Sequence, residues 1–206
     1  MDVSRKLFFE NGYAKTTIKD IIREAGITTG SLYHFFKGKE DILSHITQDM
    51  FDLAVALADE MAGKNSTPWF RLSLEIGLQF YFISTHPPVA ELYLAAHGSP
   101  EIARRIVHSA QERNRTLFAG HLPGLTADDY YVRSLAVKGI IHSFIQEAVN
   151  CKSSADPAFM FRAVETALLI FGVSDEAIKR TIRLTRKRIK QKAPVIYGLG
   201  LTASNN

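Results

Sequence analysis

The sequence predicts an all-α protein in which a small N-terminal three-helix unit is followed by a larger helical body. Three observations carry that prediction. Apolar residues recur at helical spacing along the whole chain, with no sustained apolar–polar alternation of the kind that marks a half-buried strand. The breaks between these segments hold helix-stopping Gly and helix-starting Ser, Thr or Asp. The first three segments are short and the later ones long, which sets a small N-terminal unit apart from a larger body.

The first helix runs to Glu10 with Val3, Leu7 and Phe8 on one side, and Asn11-Gly12 closes it. Thr17 caps a second helix, Ile18 to Ala25, which turns Ile18, Ile21, Ile22 and Ala25 inward before Gly26 stops it. Thr28 or Thr29 caps a short third helix through Phe35 that sends Leu32 and Phe36 inward. A long fourth helix, from near Lys39 to Ala62, buries Ile42, Leu43, Ile46, Met50, Leu53 and Leu57. Helices follow at about 67–85, closed by His86-Pro87-Pro88; at 88–97, closed by Gly98-Ser99-Pro100; and at 100–120. After the loop from His121 to Leu125, Thr126-Ala127-Asp128-Asp129 opens a helix to about Asn150 with a hydroxyl cap and an acidic first turn. Asp156-Pro157 starts one over 157–172, and Ser174-Asp175-Glu176 the last over 175–192. Beyond it, Val195, Ile196, Tyr197, Leu199 and Leu201 make the tail too apolar for a wholly free end.

Composition narrows the function classes. With 46% apolar and 22% charged residues the chain is an ordinary globular protein, neither disordered nor fibrous. Its net charge of +4 is unevenly placed. Basic and acidic residues cancel over 1–50, acids exceed bases by two over 51–173, and bases exceed acids by six over 174–206. The basic run Arg180, Arg183, Arg186, Lys187, Arg188, Lys190 and Lys192 lies opposite Ile178, Ile182, Thr185 and Ile189, the pattern of a surface helix docked on a body with a solvated face. Cys151 is the single cysteine, which excludes an internal disulfide and fits a reducing compartment. No signal peptide is expected at the N-terminus, and no apolar window reaches the roughly 18 residues of a membrane span. A cytoplasmic protein without membrane contact is therefore expected.

No catalytic set emerges. The seven histidines show no metal-helix spacing with acidic partners. Ser99 lacks the second Gly and the preceding strand of a nucleophile elbow. Gly198-Leu199-Gly200 lacks the third Gly and following helix of a dinucleotide loop. The expectation is a protein that is not an enzyme, with no cofactor and no metal. Lone Cys151 is expected to pack near a helix end.

The strongest local signal runs from Thr17 to Phe36. A capped helix, a Gly-containing turn and a short second helix within this stretch make a helix-turn-helix. In such a unit the second helix enters the DNA major groove with its N-terminal residues at the base edges, while the first crosses the backbone. That N-terminal turn is Thr28-Thr29-Gly30-Ser31, hydroxyl-rich and small, so it can bond phosphates and several base edges.

Gly12-Tyr13, Thr17-Ile18, and the run from Ala25-Gly26 through Leu32-Tyr33-His34-Phe35-Phe36-Lys37-Gly38-Lys39-Glu40-Asp41 resemble the DNA-binding domain of TetR-family transcriptional regulators. The resemblance covers about the first 47 residues. It departs at Phe9, where a small residue is common, and at its start, which falls inside the first helix. It implies that Thr17 meets a phosphate, that Thr28, Thr29, Gly30 and Ser31 face the groove floor, that Tyr33 and His34 contact the backbone, and that Lys39 binds another phosphate.

The same resemblance implies a ligand-binding and dimerisation domain over 48–206 and a repressor released from a pseudo-palindromic operator by a small apolar or amphipathic molecule. The helices at about 126–150 and 157–172 are apolar nearly all round, as expected of elements buried on one side by the core and on the other by a second subunit of a homodimer. A two-fold would set the two recognition helices about 34 Å apart. Aromatic residues are dense through the body, and the effector pocket is expected among Phe82, Tyr93, His97, Asn114, Phe118, His142 and Phe144. The competing reading is a helical carrier of apolar ligands that does not bind DNA; it has no use for the hydroxyl-rich turn.

Overall fold

The computed structural model describes residues 1–151 and 157–197. Ten helices account for them: α1 Asp2–Asn11, α2 Ile18–Ala25, α3 Thr29–Phe35, α4 Lys39–Ala62, α5 Pro68–Thr85, α6 Pro87–Gly98, α7 Pro100–Phe118, α8 Ala127–Asn150, α9 Pro157–Ile170 and α10 Asp175–Tyr197. No strand occurs among the described residues. The protein is all-α, as its sequence predicts. Asp156, Gly198, Leu199, Gly200 and Leu201 lie outside the described residues, and with them the expected opening of α9 and the end of the apolar tail.

The cap residues do what their chemistry allows. Thr17 and Asp20 form a reciprocal capping box on α2, and Thr126 and Asp129 form another on α8. Thr28, of the two candidate threonines, caps α3 by accepting from the Ser31 amide at 3.1 Å. Thr67 and Ser99 cap α5 and α7 with Pro at the first helical turn of each. Gly26 ends α2 with φ 63°, a left-handed position that Gly adopts without steric cost and that directs the chain into α3. Three boundaries differ from expectation by two residues or more. Helix α7 ends at Phe118 rather than at 120. Helix α9 stops at Ile170, where Phe171 and Gly172 turn the chain, and α10 runs on to Tyr197. Cys151 sits exposed at the C-terminal end of α8.

Helix α5 is the axis of the body. Every residue from Leu72 to Phe80 is buried, because α4 packs on one side of it and α9 and α10 on the other. Helices α8 and α9 bury one face each within this chain and leave Val132, Leu135, Val149 and Leu169 between 47% and 61% exposed, on the side where the sequence leads one to expect a second subunit. The buried apolar side chains form one cluster running from Leu7 and Phe8 in α1 to Ile189 in α10, so the N-terminal unit is packed onto the body. The expected division at residue 47 falls inside α4, which crosses it without a break.

Helices α5 and α10 approach each other closely at Ser73 and Gly77. Ser73 and Thr185 share a buried hydroxyl hydrogen bond at 2.8 Å, and Gly77 faces Ile189 and Thr185. A Cβ on Gly77 would stand 2.9 Å from Ile189 Cδ1 and 3.3 Å from Thr185 Cγ2. Ile189 Cδ1 is the end of a flexible side chain and can yield to one methyl. Gly77→Ala is therefore expected to be near neutral in urea unfolding, the helix-propensity gain of about 1 kcal/mol offsetting the crowding. Gly77→Leu adds volume that cannot be accommodated and is expected to cost about 1–3 kcal/mol or more.

Candidate functional site

Two regions stand out, one on the N-terminal unit and one inside the body. In the first, α2 and α3 are held on α1 and α4 by Phe8, Ile21, Leu32 and Ile42, all essentially buried. What remains outside is the first turn and outer face of α3. Thr28, Thr29, Gly30, Ser31, Tyr33 and His34 are all exposed, Tyr33 by 54%. The Thr28 and Ser31 hydroxyls lie 2.9 Å apart in one hydrogen bond, leaving lone pairs and one rotatable proton for an outside partner. Thr17, at the start of α2, is exposed, and its hydroxyl donates to Asp20 at 2.6 Å. That bond holds the Asp20 carboxyl below its usual range, with the Thr17 amide and Arg23 adding to the effect.

Phe35 was missed by sequence reasoning. It is 71% exposed with its ring edge against His34, at 4.9 Å between centroids, so this helix offers three consecutive rings to a partner. The signal that could have found it is the helical period: Leu32 and Phe36 occupy the buried side, and Phe35 stands off it. Lys39 takes a more structural position than the sequence suggests. Its ammonium donates to the carbonyls of Tyr13 at 2.9 Å and Thr16 at 3.1 Å, with Ala14 at 3.5 Å, and sits 4.3 Å above the Tyr13 ring. It ties the start of α4 to the loop between α1 and α2, and a phosphate would have to share an ammonium already engaged.

The unit is fastened to the body by polar contacts. Glu91 of α6 accepts from the Ala14 amide at 2.9 Å. Ser99, between α6 and α7, donates to Glu40 in the first turn of α4. Along α4, Ser109 donates to Gln48 at 3.2 Å, and at its far end Asp59 accepts from Arg71 at 2.5 Å and Arg113 at 2.6 Å.

The second region is a cavity of about 50 Å³ walled by α4, α5, α6, α7 and α8. Phe51, Leu72, Ile76, Ile106, Val137 and Ile141 supply its apolar wall. Its polar lining is Glu75, Gln79, His97, Arg113, Asn114, Ser134 and Lys138. Arg113 holds Glu75 through Nε at 2.8 Å and through its terminal nitrogen at 2.6 Å, and the same nitrogen reaches Asp59. Burial pushes the Glu75 carboxyl up to about 7 against the pull of Arg113. For Asp59, also opposed by burial, the bonds to Arg113 and Arg71 prevail and lower it. Asn114 donates to Ser134 at 2.9 Å. His97 is 7% exposed, and burial, then Lys138 and His142, push it down to about 3, so its imidazole is neutral at ordinary pH. Its Nδ1 has no hydrogen-bond partner, and neither has Nδ1 of His142, against which it stacks at 5.8 Å.

Of the seven residues expected in a pocket, the structure brings His97 and Asn114 to this cavity and sets Tyr93 and His142 against His97. It places the others elsewhere. Phe118 stacks on Phe171 at 4.5 Å, the Phe144 ring tilts against Phe159 at 4.8 Å, and Phe82 is buried in the core away from the cavity. A buried phenyl ring has no polar atom that distinguishes pocket from core, so composition could not separate them. The charged members of the cavity, Glu75, Arg113 and Lys138, were missed because each looks like a surface residue until α5, α7 and α8 meet. Among the described residues no group of His, Cys, Asp and Glu is placed to hold a metal, and no helix is long and apolar enough to cross a membrane.

A helix-turn-helix carried on a helical body is the architecture of a DNA-binding protein. Residues 1–46 match the family described as bacterial regulatory proteins, tetR family. The chain thus carries an N-terminal domain of that family. It is 27% identical over 193 residues to the uncharacterized regulator YerO of Bacillus subtilis, a match covering 85% of this chain and 64% of that protein. It is 29% identical over 93 residues to the repressor KstR2 of Mycobacterium tuberculosis, covering 45% of this chain and 46% of that protein. The chain thus matches less than two thirds of the length of each. The fold is similar to that of RolR in complex with resorcinol, with TM-score 0.66, 18% identity and coverage of 89% of both chains.

The raised Glu75 gives a testable pH dependence. Between its ordinary value of 4.5 and about 7 the folded state binds more protons at this carboxyl than the unfolded state does. The stability Glu75 contributes is therefore complete below 4.5 and lost as pH rises through about 7. His97 acts in the opposite sense between about 3 and 6.5, so the measurement is a difference between variants. Relative to the parent, Glu75→Gln is expected to gain stability in urea unfolding as pH is raised from 5 to 8. A pH-independent difference would show that Glu75 is already ionised throughout.

Proposed function

We propose that this chain is a ligand-responsive, DNA-binding transcriptional repressor that works in the cytoplasm as a homodimer and performs no catalysis. The observation that carries the DNA reading is the exposed, hydroxyl-rich first turn of α3 on a unit whose core residues are otherwise buried. Thr28, Thr29, Gly30 and Ser31 would face the floor of the major groove; Thr17, Tyr33 and His34 would bind phosphates flanking it. Lys39 would act chiefly by holding the α1–α2 loop against α4, with α4's own N-terminal amides available to a phosphate. Repression is supported by the named activity of KstR2.

The effector site in this reading is the cavity behind His97, because it combines an apolar wall with converging polar groups, one of them unpartnered. RolR, of the same fold, was solved with the small aromatic ligand resorcinol, which supports a small-molecule effector. A ligand there would bear on α6, whose Glu91 and neighbouring Ser99 grip the DNA-reading unit, and on Arg113, which anchors the far end of α4. Ligand-favoured positions of α6 and α4 would then move two recognition helices out of register with adjacent major grooves. By linkage, DNA weakens ligand binding by the same factor.

The exposed apolar side chains on α8 and α9 support the dimer. Leu135, Val149 and Leu169 would be covered by the same surface of a second copy. The carrier reading accounts for the cavity but not for the α3 turn.

Two experiments test this. With duplexes selected from random sequence by the intact protein, the Ser31→Ala, Tyr33→Ala double variant is expected to bind at least tenfold more weakly, since each lost base contact costs about 1–3 kcal/mol. Unchanged binding with unchanged helix content would overturn the residue assignment. Leu135→Glu combined with Leu169→Glu is expected to give monomers in analytical ultracentrifugation. Sedimentation of that variant as an undisturbed dimer would remove α8 and α9 from the interface.

A further inference from the structure

We propose that the internal cavity is built for a short monocarboxylate, its anionic head held by Lys138 and the stacked His97–His142 pair and its hydrocarbon directed between Ile76, Val137 and Ile141. The inference rests on the effector reading of that cavity and names the chemistry it selects.

The charge around the cavity is compensated at one end and not at the other. At the α5–α7 end, Glu75 is bound to Arg113, and Arg113 and Arg71 share Asp59, so two acids meet two bases. At the α6–α8 end, the Lys138 ammonium donates, among the described residues, only to the His97 carbonyl, at 3.3 Å. The ion pairs of α7 and α8 are Arg105–Glu101, Arg115–Glu112, Arg133–Asp129 and those of Arg113, and none among the described residues reaches Lys138. A cation beside a low-dielectric cavity with no counter-charge favours an anionic occupant.

The imidazoles add directionality. His97 lines the cavity, is nine-tenths buried, and has Nδ1 without a partner; Nδ1 of His142 is likewise buried and unpartnered. A buried polar atom left without a hydrogen bond costs about 1–3 kcal/mol, so such atoms are ordinarily satisfied by something. A neutral imidazole in its Nδ1–H tautomer donates one hydrogen bond, and an ammonium donates others. One carboxylate accepts both with its two oxygens. A primary ammonium head would face Lys138 with like charge, and an amide would present an N–H₂ where only acceptors are useful.

The rest of the lining limits the body of the ligand. Asn114 and Ser134 are already bonded to each other, Glu75 is held by Arg113, and apart from the Gln79 amide the remaining wall is hydrocarbon. About 50 Å³ holds only a few heavy atoms, which suits a short chain and leaves a long one to depend on the cavity widening.

The test uses sodium butanoate, hexanoate and octanoate, with butanamide and butylammonium chloride as neutral and cationic shapes, each at matched ionic strength. Binding is read by calorimetry and by the imidazole nitrogen resonances of His97 and His142. Butanoate or hexanoate is expected to bind and to shift both resonances. The amide and ammonium analogues are expected to bind at least tenfold more weakly, and Lys138→Met to weaken the acid by a similar factor. Lys138 is only partly buried, so that variant should fold, as checked by its unfolding midpoint. His142→Phe, which removes the stacked ring's nitrogen, provides an independent variant. Equal binding of acid and amide, or an unaltered affinity in Lys138→Met, would overturn the proposal. Operator release is measured separately. Lys138-dependent carboxylate binding without release upholds this site and sinks the effector reading. Release by other ligands with no carboxylate binding does the reverse.

Discussion

Helix α4 belongs to both parts of the molecule, and the rest of the structure depends on its being one uninterrupted rod. Its first turn carries Lys39, which binds the carbonyls of the α1–α2 loop, and Glu40, which accepts from Ser99. Its last turns carry Asp59, which closes the ionic group of Arg71, Arg113 and Glu75. A rod of 24 residues is about 36 Å long, and a packed helix transmits displacement because its hydrogen-bonded turns and packed side chains resist bending. Whatever shifts one end must be answered at the other.

The buried ionic group explains why the body is polar where it could have been hydrocarbon. A buried Arg–carboxylate arrangement contributes little net stability, since desolvation offsets most of the attraction. What it does confer is geometry: two Arg113 nitrogens donating to one Glu75 oxygen, and the reach of Arg113 to Asp59, orient α4, α5 and α7 around one point. The cavity next to it inherits that arrangement. Its other end holds Lys138 and two unpartnered imidazole nitrogens.

Local structure was readable where a single residue type has one good solution. Thr17 with Asp20, Thr126 with Asp129, and Gly26 mark their helix ends because caps are local chemistry, settled within a few residues. The turn from Thr28 to Ser31 was readable for the same reason. The body was less legible. Phe118 and Phe144 look like pocket residues in the sequence; in the fold Phe118 is buried and stacked on Phe171, and Phe144 is half-buried with its ring tilted against Phe159. Glu75 and Lys138 look like surface charges and line a cavity. Whether a side chain meets solvent, core or cavity is decided by helices distant in sequence, such as α5 and α10, joined by the Ser73–Thr185 bond.

The sequence by itself determined the helices, their caps, the all-α class and the helix-turn-helix with its exposed hydroxyl turn, because each follows from periodicity and short-range hydrogen bonding. The tertiary structure alone decided that α5 is the element buried all round, that α8 and α9 leave apolar side chains exposed, and that Lys39 is a tether. It also decided which polar residues converge behind His97. Those outcomes depend on how long helices cross, and a crossing is set by the sum of many weak contacts between segments that no local pattern records.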